Sequence, residues 1–328
     1  MLRFMVRSFA SLAISSAYSI PIGLSSVTSI LDEDTIIERV CYGYLKCNAT
    51  CSTEIVIVNY SITLNMSDDV VVKLLNDGYF SLDAGAYFGV VPKAIWSRKF
   101  QEIDNTVRLA TNVLYITESD GTSILVDSGI GNKFDDKFRK IYRVEKQSDI
   151  YEYIRLHGDP NSVRMIINSH LHFDHVGHNA DFKNAYAYAQ ADEFKAARYR
   201  NYITKANYRL SASQIKNKVE IGGSKRINGF IRVIKTDGHT PGHQVILINA
   251  GGRKIMYFGD IVPSTFHLKL PYRTAIDLDP LKTIEFKKNL VKMAIRENYI
   301  CIFNHDVETP AAILSGDYSD PKYVKVDI

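Results

Sequence analysis

Apolar residues after Asp68 fall into short runs separated by turn chemistry. Val70 to Leu75, Tyr79 to Leu82, Thr111 to Thr117 and Ser123 to Val126 read as strands, the last two joined by a hairpin turn at Asp120-Gly121. These runs predict one antiparallel sheet. The period then alternates: Ser148 to Leu156 and Gln190 to Tyr199 carry helical spacing, the second opened by Asp192 and Glu193, with a strand at Arg164 to Asn168 between them. A second β set follows at Phe230 to Ile234, Gln244 to Asn249 and Lys254 to Phe258, the last two joined by Ala250-Gly251-Gly252. Pro280 opens a long amphipathic helix to about Arg296, and Tyr299 to Phe303 reads as a final buried strand ending at His305. Two β sets interleaved with helices predict an α/β protein in which two sheets are faced by helices.

Some stretches carry no sustained period. Residues 200–228, rich in Tyr, Lys, Asn and Ser, predict a lid-like excursion between the halves. Residues 1–65 resemble nothing that follows and read as an N-terminal appendage to a domain spanning 66–328, with Met66-Ser67-Asp68-Asp69 as an alternative chain start. Arg3 and Arg7 precede an apolar stretch, Phe9 to Leu24, that superficially matches a signal peptide, but serines and Pro21 interrupt it and it is too short to span a membrane. The expectation is a cytoplasmic protein; a working signal peptide would make it secreted. Asn48-Ala49-Thr50, Asn59-Tyr60-Ser61 and Asn65-Met66-Ser67 are glycosylation-type triplets of a kind that arises by chance in such sequence.

Composition excludes several classes. In 328 residues, 40 basic and 36 acidic side chains leave only +4, so no nucleic acid or other polyanionic partner is implied. Cys41, Cys47 and Cys51 lack CxxC spacing and a nearby histidine, and Cys301 reads as a buried core thiol.

The histidines change the picture. Of nine, three lie in His170-Leu171-His172-Phe173-Asp174-His175, and His243 and His305 fall at the ends or starts of strands, while Asp260 follows the strand ending at Phe258. In extended or tight-loop backbone, side chains two apart point the same way, so His170 and His172 can hold one metal while Asp174 and His175 turn toward another. A hydrolytic two-metal site needs about three ligands per ion and an anionic bridge. His170, His172 and His243 are assigned to one divalent ion, Asp174, His175 and His305 to the other, and Asp260 to the bridge. Zinc suits this set best, with manganese, iron or cobalt as alternatives. A metal-bridging hydroxide is the expected nucleophile, and Asp174 can orient it and carry its proton to the leaving group.

At these residues the chain resembles the metallo-β-lactamase superfamily, whose HxHxDH motif is matched by His170 to His175 and whose later ligands match His243, Asp260 and His305. Leu125-Val126-Asp127-Ser128-Gly129, Gly238 to His243 and Tyr257-Phe258-Gly259-Asp260 support the match, which covers roughly residues 70–310. The resemblance implies an αββα sandwich of two mixed sheets flanked by helices, with metals at one sheet edge and Asp127 orienting a ligand histidine. His239 is expected to support the loop that positions His243. Ser169 to Val176, the HTPGHQ segment, Gly85 to Lys93 and Pro271 to Pro280 look like the quorum-quenching N-acyl-homoserine lactonases.

That subgroup implies a dinuclear hydrolase that opens a lactone or cleaves a related ester. A phosphotriesterase or thioesterase is the alternative, and an iron-dependent sulfur dioxygenase a more distant one. The partners expected are a small-molecule substrate and a second copy of the chain in a homodimer. Tyr87 and Phe88, with Trp96, are expected to wall an acyl-chain pocket, and His267 to line it as a proton donor. Two departures stand out. Many relatives carry Gly-Gly after the motif, where this chain has Gly177-His178, read as a solvated loop histidine or, alternatively, as an extra donor behind the metal ligands. The better-studied lactonases place a substrate-holding tyrosine three residues past the bridging aspartate, where this chain has Pro263.

Overall fold

In the computed structural model, which describes residues 35–38, 61–67 and 69–326, the strands form two mixed sheets. The first contains β1 (Thr35–Glu38), β2 (Ser61–Ser67), β3 (Val70–Asp83), β4 (Glu102–Ile103), β5 (Thr106–Glu118), β6 (Ser123–Val126), β7 (Val163–Ile167), β8 (Tyr186–Gln190) and β9 (Lys218–Ile221). Its order is β1-β2-β3-β5-β6-β7-β8-β9, with β4 on β5, antiparallel up to β6 and parallel from β6 to β9. The second contains β10 (Lys225–Arg226), β11 (Ile231–Lys235), β12 (Gln244–Ala250), β13 (Arg253–Tyr257), β14 (Ile300–Ile302), β15 (Ala311–Ser315) and β16 (Lys322–Lys325) in sequence order, parallel only between β13 and β14.

Strand alternation dictates the layers. Val72, Leu74, Leu114, Ile116, Ile124 and Val126 of the first sheet face Ile231, Val233, Ile246, Ile248 and Ile255 of the second in one buried core. Each such side chain contributes roughly 1.5–3 kcal/mol by leaving water. The intervening residues are also apolar, because helices cover both outer faces. α1 (Ala84–Phe88), α2 (Lys93–Trp96), α3 (Asp136–Ile141), α4 (Ile150–His157), α5 (Ala191–Arg198), α6 (Ser211–Gln214) and α7 (Pro280–Glu297) follow in chain order. Ile150 and Ile154 of α4 pack on Leu75, Val113, Tyr115 and Leu125; Leu290, Val291 and Ala294 of α7 pack on Val245, Leu247, Met256 and Phe258. Asp279 caps α7 by accepting from Lys282 N, Pro280 fills its first turn, and Asn298 ends it in a left-handed conformation at φ 54°. The result is an αββα sandwich, as the resemblance implied.

Several expectations are corrected. The runs from Val70 to Val126 pair antiparallel as expected, but parallel strands extend their sheet, and Val70 to Leu75 and Tyr79 to Leu82 are one strand interrupted by a bulge between Asn76 and Tyr79. β2 lies across the expected boundary at residue 65 and pairs with β3. Tyr299 to Phe303 is not the last strand, since β15 and β16 follow. The excursion at 200–228 is not uniformly irregular: β9 extends the first sheet and β10 the second. The candidate signal segment, Cys41, Cys47, Cys51 and the triplets at Asn48 and Asn59 lie outside the described residues, within which no helix is long and apolar enough to cross a membrane.

The bulge in β3 turns Asp77 fully inward. Its carboxylate accepts from Gly131 N at 2.8 Å, Ile150 N at 3.0 Å and Lys146 Nζ at 2.8 Å, and meets His178 Nε2 at 3.1 Å. His178 Nδ1 lies 2.8 Å from Asp181 Oδ2, so the expected solvated histidine is buried between two carboxylates. Burial disfavours its charge, but Asp77 and Asp181 outweigh burial and the repulsion of Lys146, raising its pKa to about 9; Asp149 lies 3.6 Å away. A histidine whose folded pKa exceeds its unfolded value contributes stability that is complete below about pH 6.5 and lost as pH rises through 9. Denaturant unfolding should therefore show the wild-type chain losing about 2–4 kcal/mol more than His178→Gln between about pH 6.5 and 9.5. Parallel pH profiles in the two proteins would contradict this account.

Candidate metal centre

Strand ends carry the chemistry to one edge of the sandwich. β6 runs into Asp127, whose φ of 56° is left-handed, a conformation aspartate tolerates better than most residues. β7 leads into the loop with His170 to His175, β13 into Asp260, and β14 into His305. The donors gather in two buried groups: His170, His172, His239 and Asp260, then Asp174, His175 and His305, the donor atoms within each lying within 4.8 Å of one another. Asp260 faces both. Its Oδ2 is 3.2 Å from His239 Nε2 and 3.8 Å from His170 Nε2, and its Oδ1 is 3.4 Å from His175 Nε2 and 3.3 Å from His305 Nε2. Asp174 Oδ2 lies 3.4 Å from His305 Nε2.

These residues fit a pair of divalent cations. His170 Nε2 and His175 Nε2 are buried with no hydrogen-bond partner, an arrangement that is costly unless a cation takes their lone pairs. Burial, reinforced by neighbouring imidazoles, holds His170 and His172 well below the ordinary histidine range. At His175 and His305 burial also disfavours the charged ring, yet Asp127, Asp260 and Asp174 around the first, and Asp260 and Asp174 around the second, outweigh it and raise both. The field of the carboxylates thus favours positive charge at this spot. Burial raises Asp174, against the pull of His175 and His305.

One expected ligand is not in either group. His243 has both ring nitrogens engaged, Nδ1 with Thr236 Oγ1 at 2.7 Å and Nε2 accepting from Asp260 N at 3.0 Å. It holds the Asp260 backbone instead. This approach requires Gly259, whose φ is 53° and where a Cβ would stand 2.6 Å from His243 Nε2. His239, expected to be a support, presents Nε2 to the donor group while Asp277 Oδ1 fixes its Nδ1 at 2.7 Å. Hydrogen bonds decide the exchange: Thr236 and the Asp260 backbone occupy both nitrogens of His243, while Asp277 fixes Nδ1 of His239 and leaves Nε2 toward Asp260.

Around the donors, polar partners fix each ring. Asp127 meets His175 Nδ1 at 2.7 Å and accepts from Ser169 N, Ser169 Oγ and Tyr257 Oη at 2.7, 2.7 and 2.9 Å. His305 Nδ1 meets Ala110 O at 2.8 Å. Sequence reasoning missed Glu193, read only as a helix opener. It is fully buried and accepts from Leu171 N, Tyr208 Oη, Thr240 Oγ1 and Gly242 N, joining both histidine loops and the excursion. No local pattern marks such a residue; Gly242, where a Cβ would meet Glu193 N at 2.4 Å, is its only trace.

A cleft of about 490 Å³, part of it open to solvent, leads to the donors. Phe80, Leu82, Leu109, Phe173 and Ile276 give it apolar walls, and His172, Asp174, Asp260 and His305 line it. Tyr87 and Pro263 line it too. Phe88 does not: it stacks on Trp96 at 4.8 Å inside the core. His267 is likewise not at the cleft wall. It is fully buried, with Nδ1 on Ser264 Oγ at 2.8 Å and Nε2 on Tyr87 O at 3.0 Å, and burial pushes its pKa down to about 3. Facing a carbonyl, its Nε2 carries the proton, so it is a structural donor rather than an acid for substrate.

Comparison with known proteins agrees with this geometry. A family profile described as the metallo-β-lactamase superfamily matches residues 106–305. An N-acyl homoserine lactonase of Bacillus cereus is 27% identical over 214 residues, covering 59% of this chain and 80% of that protein. The crystal structure of a probable metal-dependent hydrolase from Staphylococcus aureus superposes with a TM-score of 0.73 at 27% identity, covering 79% of this chain and 98% of the other. A dizinc quorum-quenching lactonase superposes with a TM-score of 0.65 at 17% identity, covering 82% and 98%, and shows the shared fold.

The two histidines of the HTPGH segment should separate in metal titrations read by elemental analysis. His239→Ala is expected to lose one equivalent of divalent metal, whereas His243→Asn retains both with about 10–100-fold weaker binding. Loss of an equivalent from His243→Asn alone would return His243 to the ligand set.

Proposed function

This chain belongs to the metallo-β-lactamase superfamily and is a hydrolase of it, and from that premise we propose that it opens a lactone or cleaves a related carboxylic ester at a dinuclear centre, with zinc in both positions. The observation that carries this reading is Asp260, whose two carboxylate oxygens face separate donor groups at the floor of an apolar cleft. His170, His172 and His239 would hold one ion and Asp174, His175 and His305 the other, with Asp260 facing both donor groups. Divalent ions bound there supply a water acidified toward neutrality and a Lewis acid for the carbonyl oxygen.

The chain's own residues do the rest. Asp127, Asp277 and the Ala110 carbonyl keep three imidazoles from turning, so the donors meet the reaction without reorganising. Phe80, Leu82, Leu109, Phe173 and Ile276 exclude water and suit the aliphatic part of an acyl substrate. Asp174 lines the cleft, accepts a proton from the attacking water, and returns it to the departing alkoxide, so that ring opening yields a hydroxy acid. Two bridged donor groups favour a hydrolase over a single-iron dioxygenase.

The deciding experiment is elemental analysis of the purified full chain followed by a panel of acyl-homoserine lactones, phosphotriesters and thioesters. Lactone turnover that disappears on chelation and returns with zinc is expected, and Asp174→Asn should lower kcat by about 10²–10⁴-fold. Turnover confined to phosphotriesters or thioesters would overturn the substrate assignment, and a metal-free active protein would overturn the centre.

A further inference from the structure

We propose that the segment from Phe194 to Leu210 is a docking surface for a lipid bilayer bearing anionic headgroups, with its Tyr202-Ile203 tip entering the headgroup region. This face lies outside the donor groups, and the inference does not need the substrate assignment above. Lys195, Arg198, Arg200, Lys205 and Arg209 fall in this short span, and no acidic residue occurs from Phe194 to Val219. The net charge of +4 conceals the run, because the acidic side chains lie elsewhere in the chain. All five cations are exposed. Among the described residues, Arg209 meets the carboxylate of Asp135, Arg200 donates to the Tyr208 carbonyl at 3.3 Å, and Lys195, Arg198 and Lys205 have no acidic partner.

A basic run is by itself an ordinary solvated surface, and what sets this one apart is its apolar tip. Tyr202 and Ile203 stand 91% and 79% exposed, beside Tyr199 at 69%. The turn that presents them is fixed. Asn201 Oδ1 accepts from Ile203 N and Thr204 N at 2.9 Å each, and Lys205 N donates to Asn201 O at 3.0 Å. Thr204 and Tyr208 are buried beneath it, and Tyr208 Oη donates to Glu193 at 2.7 Å. Arg198 and Lys205 lie over the rings of Tyr199 and Tyr202 at 5.4 and 5.3 Å, so each exposed ring has a cation at its face. Amphipathic rings and an aliphatic tip among cations suit the bilayer interface, where apolar groups reach the acyl boundary and cations meet headgroup phosphates. Two other occupants fit less well. A second copy packed about a two-fold axis would set the patch against itself, bringing like charges together. A nucleic-acid strand suits the cations and the rings, but the aliphatic side chain of Ile203 offers no face for a base to stack on. Asn207 of the same loop lines the cleft, so docking places the cleft mouth beside the bilayer.

The test is co-sedimentation of the full chain with vesicles of phosphatidylcholine alone or in equal parts with phosphatidylglycerol. Binding to the anionic vesicles is expected, weak on phosphatidylcholine alone and falling as salt rises. Tyr202→Ser with Ile203→Ser should weaken it about 10–100-fold, and Arg198→Gln with Lys205→Gln about 10–30-fold, with Tm and metal content unchanged in both double variants. Absence of vesicle binding overturns the proposal, whether the same substitutions instead abolish retention of a single-stranded oligonucleotide or self-association of the chain. Equal binding to both kinds of vesicle overturns it too, as does binding that either double variant retains in full. Turnover by a chain that ignores vesicles leaves the hydrolase reading standing, and vesicle binding by a chain without turnover leaves the docking surface standing.

Discussion

One carboxylate organises this molecule around its site. Asp127 stands where β6 ends and, through four contacts, joins the loop after β7, the ring of His175 and the Tyr257 hydroxyl of the opposite sheet. Buried charge is expensive, and only a full complement of donors makes it tolerable. The left-handed turn at Asp127 delivers that complement, so the closure of the sandwich edge and the orientation of a donor imidazole are one event. Glu193 repeats the device on the far side of the donors, where its two oxygens bind the loops of His172 and His239 together.

Where the sequence was legible, a local pattern carried the physics. The clustered histidines and aspartates between His170 and His175 announce their chemistry because one short loop holds them, and Asp260 and His305 sit at strand ends that apolar runs make visible. The helix from Pro280 reads cleanly because its cap, its proline and its apolar stripe agree. What stayed hidden depends on contacts between distant segments. Three residues separate His239 from His243, and nothing in that spacing says which ring faces the donors; Thr236 and the Asp260 backbone decide it. His178 looks like a loop residue until the bulge at Asn76 brings Asp77 against it.

The same reasoning covers the missed strands and the misplaced pocket residues. β15 begins with two alanines and β16 is exposed along its length, so neither carries the apolar alternation that betrays a strand. Tyr186–Gln190 is another strand hidden by alanines, recognisable only by its pairing with β7. Phe88 and His267 follow the cleft residues closely in sequence, yet a short helix turns Tyr87 to the cleft and Phe88 to the core. Aromatic composition alone cannot distinguish the two faces.

Lys146 gives the Asp77 pocket a meaning beyond stability. Asp77, Asp149 and His178 have the composition and closeness of a third cation-binding group, and within the described residues they are the one such group outside the cleft. The ammonium of Lys146 stands 2.8 Å from Asp77 and 3.7 Å from Asp149, supplying by covalent tether the counter-ion that solution would otherwise provide. A metal ion entering there would have to displace a cation that cannot diffuse away. Of the clusters with such ligand chemistry among the described residues, this one is already neutralised by a cation belonging to the chain itself.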